Sequence, residues 1–365
     1  MMLLKYSIIG KNKIYKEKRY NLKELYLFIV EEGVIEMIKV AFFDTKDYDK
    51  NLFEEYNKNY NFEITYFTSK LNNETATLAK GYDVVCVFVN DKVDEETLKI
   101  LEENGVKLVA LRCAGFNNVD LEHKGKIRVV RVPQYSPYAV AEHAVALLLN
   151  INRKIYKSYQ RVKKYNFSLD GLLGFDVHGK TIGVIGTGRI GKAFINIMKG
   201  FGTEIIAYDL FKDEKASEEL GFKYVELDEL LEKSDIISLH CPLTKETENI
   251  INKDTIRKMK DGAIIINCSR GKLVNTDDLI EELSTGKIGG VGLDVYEDEE
   301  EFFLRDMSNS YKRDKNLSIL ISMPNVIITS HQAFFTNEAL NKIASDTCEN
   351  IKQIFNDEKC LNEII

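Results

Sequence analysis

Three kinds of residue in this chain could serve a small-molecule site: a glycine cluster, an oddly placed arginine and a few histidines. Gly186-Thr187-Gly188-Arg189-Ile190-Gly191 lies between the apolar run Thr181 to Ile185 and a helical pattern, Ile190 to Lys199. In that setting the first glycine permits a tight turn. The second lets backbone approach a pyrophosphate, and the third lets helix and strand lie close together. The helix N-terminus adds N–H groups and a positive dipole end, both suited to phosphate. Asp209 ends the next strand, about 20 residues beyond the first glycine, where a carboxylate accepts from ribose hydroxyls and repels a 2′-phosphate. Strand, glycines, helix and acid together predict a dinucleotide site that prefers NAD to NADP.

Arg270 closely follows the apolar run Ala263 to Asn267, where a long cation has no packing use. Its fork suits a carboxylate held by two hydrogen bonds. The five histidines divide by context. His123 and His178 lie in polar, turn-like stretches and read as surface residues. His143, within Ala141-Glu142-His143-Ala144 on an apolar helical pattern, reads as a packed, hydrogen-bonded core residue. His240 and His331 both follow strands, and position alone does not separate them. Glu299 sits in the acidic run Glu297 to Glu301, which on composition reads as a solvated loop. Three more strand ends fall where ligands of parallel sheets bind: His240-Cys241-Pro242, Cys268-Ser269-Arg270-Gly271 and Asp294-Val295-Tyr296.

The elements that must position these residues alternate between strand and helix. Strand-like runs are Ile38 to Phe43, Glu63 to Phe67, Val84 to Val89, Leu108 to Leu111 and Ile127 to Val132. Pro133 and Pro137, two of only four prolines, then interrupt the chain. A helical run, Tyr138 to Tyr165, follows as the crossing between two units, with Val140, Ala144, Leu147, Leu148 and Ile151 at helical spacing. A second series places strands at Thr181 to Ile185, Glu204 to Tyr208, Ile236 to Leu239, Ala263 to Asn267, Gly290 to Val295 and Val326 to Thr329. A final helix, Asn337 to Phe355, is short enough to return to the first unit. This rhythm predicts an α/β protein with two doubly wound parallel sheets.

Length and composition agree with that reading. The 365 residues suggest roughly two domains. A 44% hydrophobic share with 29% charge excludes a disordered chain. Fifty basic against 57 acidic residues give a formal charge of -7, which argues against nucleic-acid or membrane partners. The six cysteines have no metal-like spacing, so no metal is expected. They read as buried, reduced thiols of a cytoplasmic protein. Residues 1–36 differ from the rest, with a lysine-rich stretch and a short apolar run that fits a secretory signal poorly. They read as an N-terminal extension of unclear role, with a small amphipathic helix at Leu22 to Ile35 as the competing view.

From about Met37 onward the chain resembles the D-2-hydroxyacid dehydrogenase family, most closely its fermentative lactate-forming branch. The matching stretches are Arg112 to Asp120, Val132 to Pro137, Asn166 to Leu169, Gly186 to Gly191, Asn267 to Gly271, Gly292 to Glu299 and Ser330 to Phe334. The resemblance implies a flavodoxin-like substrate domain, 37–135 completed by 334–365, and a Rossmann NAD-binding domain, 136–333, with the active site in the cleft. It assigns the catalytic trio to Arg270, Glu299 and His331. Backbone N–H groups of Ala114 and Gly115 would join Arg270 on the substrate carboxylate, and Tyr135 and Phe334 would line the pocket. Cofactor contacts would come from Gly186, Gly188, Arg189, Ile190, Gly191, Asp209, Cys241, Pro242, Thr247, Cys268, Ser269, Arg270 and Asp294. Thr247 stands where related enzymes often carry Asn.

The implied reaction is reversible reduction of pyruvate to D-lactate with NADH. His331 would exchange the proton, oriented by Glu299. The long stretch from Glu300 to Met323 also suits a branch acting on larger 2-keto acids such as 2-ketoisocaproate. An NADH-sensing, corepressor-like interaction protein is the rival from another class. Family analogy implies a homodimer or higher homo-oligomer, with Tyr138 to Tyr165 at its surface.

Overall fold

The computed structural model describes residues 37–123 and 125–364, and the readings made on residues 1–36 lie outside them. Two parallel sheets organise the chain. The first contains β1 (Lys39–Phe42), β2 (Glu63–Tyr66), β3 (Val84–Val87), β4 (Leu108–Leu111) and β5 (Arg128–Val130). Their order is β2-β1-β3-β4-β5, the flavodoxin-like winding. Both faces of β3 and β4 are buried, so these strands are apolar without alternation.

The second sheet contains β6 (Thr181–Ile185), β7 (Glu204–Tyr208), β8 (Lys223–Tyr224), β9 (Ile236–Leu239), β10 (Ala263–Asn267), β11 (Ile288–Leu293) and β12 (Val326–Ile328). Its order, β12-β11-β10-β9-β6-β7-β8, reverses direction between β6 and β9. Ligands of doubly wound sheets bind at such a reversal, and here the glycine cluster follows β6 while His240 follows β9.

Two connections place the sheets around a common cleft. The helix Pro137–Arg153 starts cleanly, with Pro137 in its first turn and Ser136 Oγ accepting from Ala139 N at 3.3 Å. Its Val140, Ala144, Leu147, Leu148 and Ile151 join the core beneath β6 and the helix Arg189–Lys199. The C-terminal helix Asn337–Phe355 returns to the first sheet, seating Ala344, Cys348, Ile351 and Ile354 against Val40, Phe42 and Cys86.

Several expectations need correction. The run Tyr138 to Tyr165 is not one helix: Lys154 adopts a left-handed conformation and separates Pro137–Arg153 from Ile155–Val162. Past the break, the Asn150 side chain accepts from Tyr156 N at 3.0 Å and caps the start of the second helix. β11 begins two residues earlier than expected and ends at Leu293, because Gly289 and Gly290 hide a strand that pairing with β10 imposes. The two-residue β8 was not expected. His123 is no surface residue: its side chain is only 7% exposed and lies 3.6 Å from Glu102. His178 is exposed, and His143 is packed and hydrogen-bonded, as read. All six cysteines are buried.

Candidate active site

The glycine cluster divides its work as its spacing suggests. Gly186 has φ +97°, and a Cβ there would stand 2.5 Å from Cys241 N. A Cβ on Gly191 would stand 2.1 Å from the Gly186 carbonyl oxygen, so helix and strand meet there backbone to backbone. On Gly188 a Cβ would meet nothing within 4 Å, which leaves the approach to the helix N-terminus open. Arg189 begins that helix and is exposed, and Ile190 borders the cleft. Asp209 faces the cluster: its Oδ2 accepts from Thr187 N at 2.6 Å and Thr187 Oγ1 at 3.0 Å, while Oδ1 accepts from Phe211 N. The acid expected to meet a ribose therefore also shapes the glycine loop. These residues fit a dinucleotide whose pyrophosphate lies against Gly188 and whose ribose approaches Asp209.

The opposite rim comes from the ends of β9 and β10. Ser269 Oγ donates to Cys241 O at 2.6 Å, tying the two loops together. Cys241 is buried against Gly186 and Pro242 is exposed. Thr247 Oγ1 accepts from Thr244 N and donates to Pro242 O at 2.7 Å, so its hydroxyl is used within the loop.

A cavity of about 130 Å³ lies in the cleft and brings the predicted groups together. Arg270 reaches in from β10, with Nη1 donating to Ser269 O at 2.7 Å. Its Nη2 lies so close to the loop after β4 that a Cβ on Gly115 would be 2.3 Å away. Among the described residues, the N–H groups of Ala114 and Gly115 have no protein acceptor, and Arg131 pins that loop by donating to Ala114 O at 2.8 Å. Tyr135 and Phe334 form an aromatic wall, their ring centres 6.4 Å apart. Cys268 and Asp294 border the cofactor side.

His331 also enters the cavity. Its Nδ1 lies 2.6 Å from Glu299 Oε1, and Glu299 Oε2 accepts from Tyr296 N at 3.0 Å. Glu299 is thus no solvated member of its acidic run. An ionised carboxylate only accepts, so Nδ1 carries the proton donated to Glu299, and Nε2 is the atom left for the cavity. His240 borders the same cavity, but its ring packs on Phe194 and its Nε2 bonds Ser238 Oγ at 2.9 Å. Burial pushes its pKa down to about 3, which keeps it neutral. Partners, rather than position, separate the two histidines: Phe194 and Ser238 occupy one ring, and Glu299 aims the other.

Residues 145–333 match the family model described as D-isomer specific 2-hydroxyacid dehydrogenase, NAD binding domain. The chain is 52% identical over 317 residues to 2-hydroxyacid dehydrogenase homolog 1 of Schizosaccharomyces pombe, covering 86% of this chain and 95% of that one. It is 46% identical over 330 residues to D-lactate dehydrogenase of Escherichia coli, covering 90% of this chain and 100% of that one. The chain belongs to the D-isomer specific 2-hydroxyacid dehydrogenase family. Its fold also matches the structure of the pyruvate reductase of Chlamydomonas reinhardtii with a TM-score of 0.83 at 44% identity, over 90% of this chain and 99% of that one.

Within this dehydrogenase, the segment carrying His331 is held by Asp294. His331 has φ +52°, a left-handed conformation uncommon outside glycine, and the hydrogen bonds around it hold it there. The Asp294 carbonyl accepts from His331 N at 2.7 Å, and its carboxylate accepts from Gln332 N and Ala333 N. Burial raises the pKa of this carboxyl, but His143 close beside it and hydrogen bonds from Thr329, Ala333 and Gln332 outweigh that and hold the group below its ordinary value.

Sequence reasoning missed one wall of the dehydrogenase's pocket. Phe88, at the end of β3, borders the cavity and packs on Phe334 at 5.6 Å between ring centres. Arg112, fully buried after β4, is sandwiched between Phe42 and Phe88 at 4.4 and 4.9 Å from their ring centres. Its Nη2 donates to Asp44 O at 3.0 Å and lies 3.5 Å from Asp49 Oδ2. The signal was available: Arg112 is a cation placed straight after an apolar strand, as Arg270 is placed three residues after another.

Proposed function

We propose that this dehydrogenase reduces pyruvate to D-lactate with NADH, reversibly. The observation that carries the reading is the shape of the cavity. Arg270 and His331 converge on a space of about 130 Å³ that is bordered by Phe88, Tyr135 and Phe334. A carboxylate on Arg270 puts the adjacent ketone toward His331 and leaves the third carbon against the aromatic wall. That wall favours a methyl group over a longer chain.

When bound, the reduced nicotinamide supplies the hydride to the ketone carbon. The protein's own residues do the rest. Arg270 and the N–H groups of Ala114 and Gly115 hold the carboxylate. His331 gives the Nε2 proton to the ketone oxygen, and takes it back in lactate oxidation. Glu299 keeps the imidazole in the required tautomer and aim. Asp294, with an oxygen bonded only by Ala333 N, is placed to accept from the carboxamide of the cofactor. Asp209 selects NAD through the ribose, and closure of the cleft would exclude water.

We assign substrate binding to 37–135 with 334–365 and cofactor binding to 136–333. The exposed stripe Ile155, Tyr159 and Val162 supports a homo-oligomer. No described helix is long and apolar enough to cross a membrane, and the buried thiols support a cytoplasmic enzyme. The test is a panel of 2-keto acids of increasing chain length with NADH. Pyruvate should give the highest kcat/KM. A maximum at 2-ketoisocaproate would replace the substrate assignment, and no turnover of any 2-keto acid would favour a sensing role.

A further inference from the structure

His143 lies on the crossing helix, outside the groups that touch substrate. Its Nε2 is 3.0 Å from Thr329 Oγ1, and Thr329 Oγ1 is 2.5 Å from Asp294 Oδ1. The same Nε2 lies 3.4 Å from Asp294 Oδ1. The direction of this chain follows from proton inventory. An ionised Asp294 only accepts, so the single Thr329 hydroxyl proton goes to Oδ1. Thr329 Oγ1 must then accept from His143, which requires a proton on Nε2. The order is His143 Nε2–H to Thr329 Oγ1–H to Asp294 Oδ1.

The consequence is an unequal use of the two carboxylate oxygens. Oδ1 takes Thr329 and Gln332 N, whereas Oδ2 takes only Ala333 N at 2.8 Å. Asp294 is fully buried, and no solvent can replace a missing partner. With Oδ1 saturated, the carboxylate cannot turn without breaking bonds, and Oδ2 is the oxygen left with capacity for a further donor. His143 and Thr329 reach it from different elements, the crossing helix and the end of β12. The carboxylate is therefore fixed by both parts of the cleft's floor.

We propose that His143, relayed by Thr329, is a positioning residue that fixes the Asp294 carboxylate as the acceptor for the nicotinamide carboxamide. This rests on the NAD-dependent reading of the site. It adds a residue that binds neither substrate nor cofactor and sets the rotation of the ring through another side chain.

The experiment compares the parent with His143→Phe, His143→Gln and Thr329→Val, using fluorescence titration of NADH and thermal melting. His143→Phe fills the same space without a donor, and NADH Kd should rise about tenfold, the effect expected of one hydrogen bond to a charged group. His143→Gln places a donor at similar reach and should restore Kd to within about threefold of the parent. A packing role alone would lower Tm in both variants without this ordering. If His143→Phe fails to fold, Thr329→Val, which keeps the shape of the side chain, should show the same rise in Kd. Independently, ¹⁵N spectra of the parent without cofactor should show His143 protonated at Nε2. An unchanged Kd in Thr329→Val or stable His143→Phe, or a His143 ring protonated only at Nδ1, would overturn the proposal. Failure of the parent to turn over 2-keto acids while still binding NADH would overturn the functional reading alone.

Discussion

His331 and Glu299 meet at 2.6 Å, Nδ1 to Oε1, and neither partner is free to drift. The glutamate's other oxygen is held by Tyr296 N, and the histidine's backbone is held by the Asp294 carbonyl. The pair is thus built from the ends of two neighbouring strands, β11 and β12, which the sheet keeps in register. Glu299→Gln keeps the size but lets the amide present its NH2 to Nδ1. The wrong tautomer is then favoured, and kcat for pyruvate reduction should fall about 10²-fold with KM little changed. His331→Ala should cost about 10²- to 10⁴-fold in both directions. Steady-state kinetics in both directions check this. Full activity in Glu299→Gln would return Glu299 to the solvated acidic run.

Gly115 gives a second handle on Arg270. A Cβ there would stand 2.3 Å from Nη2, the far end of a flexible side chain, so the guanidinium can move aside at little cost in stability. Gly115→Ala should therefore raise pyruvate KM about tenfold or more, the effect of one lost charge-assisted hydrogen bond, while Tm stays close to the parent's. An unchanged KM would mean that Arg270 does not hold the carboxylate.

Asp209 has two jobs, since the oxygen facing the loop already accepts from Thr187. Asp209→Ala should weaken both cofactors by loosening the glycine turn. It should weaken NADH more, because only NADH gains from the carboxylate on the ribose. The ratio of kcat/KM for NADPH over NADH should rise about tenfold or more. A constant ratio would confine Asp209 to its structural job.

These three sites differ in how far the sequence reveals them. The tight turn of the glycine cluster and the place of Asp209 beside it were legible because the cradle is nearly contiguous, and a strand, a turn and a helix start follow from local pattern. β6, β7, β9 and β10 fall within the expected bounds for the same reason. The choice between His240 and His331 was not legible from position, since it depends on Phe194 and Ser238 covering one ring and Glu299 reaching the other. The break at Lys154 is a local backbone turn within an unbroken apolar pattern, and the Phe88 wall packs on a buried arginine that follows another strand. Composition or periodicity encodes neither.

The aromatic wall sets a graded preference. Phe334 contacts both Phe88 and Tyr135, so shortening it opens the far end of the cavity. Phe334→Ala should move the preferred substrate toward longer 2-keto acids. Each added methylene is worth about 1–3 kcal/mol in such a pocket, so the ranking should shift over a chain-length series and not switch at one member. Tyr135→Ala should act in the same direction. Unchanged rankings in both variants would place the wall elsewhere.

His240 should show itself in stability and not in catalysis. An unfolded histidine titrates near 6.5, whereas burial in the fold pushes His240 down to about 3. Below pH 6.5 the unfolded chain takes up a proton that the folded chain refuses. Stability from this group is therefore complete above pH 6.5 and is lost as pH falls toward 3. At pH 5.5 the loss is about 1 kcal/mol, or roughly 2–4 °C in Tm for a domain of this size. His240→Gln keeps a partner for Ser238 and removes the titration, so its Tm should fall less than the parent's between pH 7.5 and 5.5. The pH midpoint of pyruvate reduction should stay where it is, because His331 is the proposed proton donor. If the two melting profiles run parallel, His240 is not the group held neutral by burial. If the midpoint of the rate profile moves instead, His240 takes part in the chemistry, and the assignment of His331 as the proton donor fails.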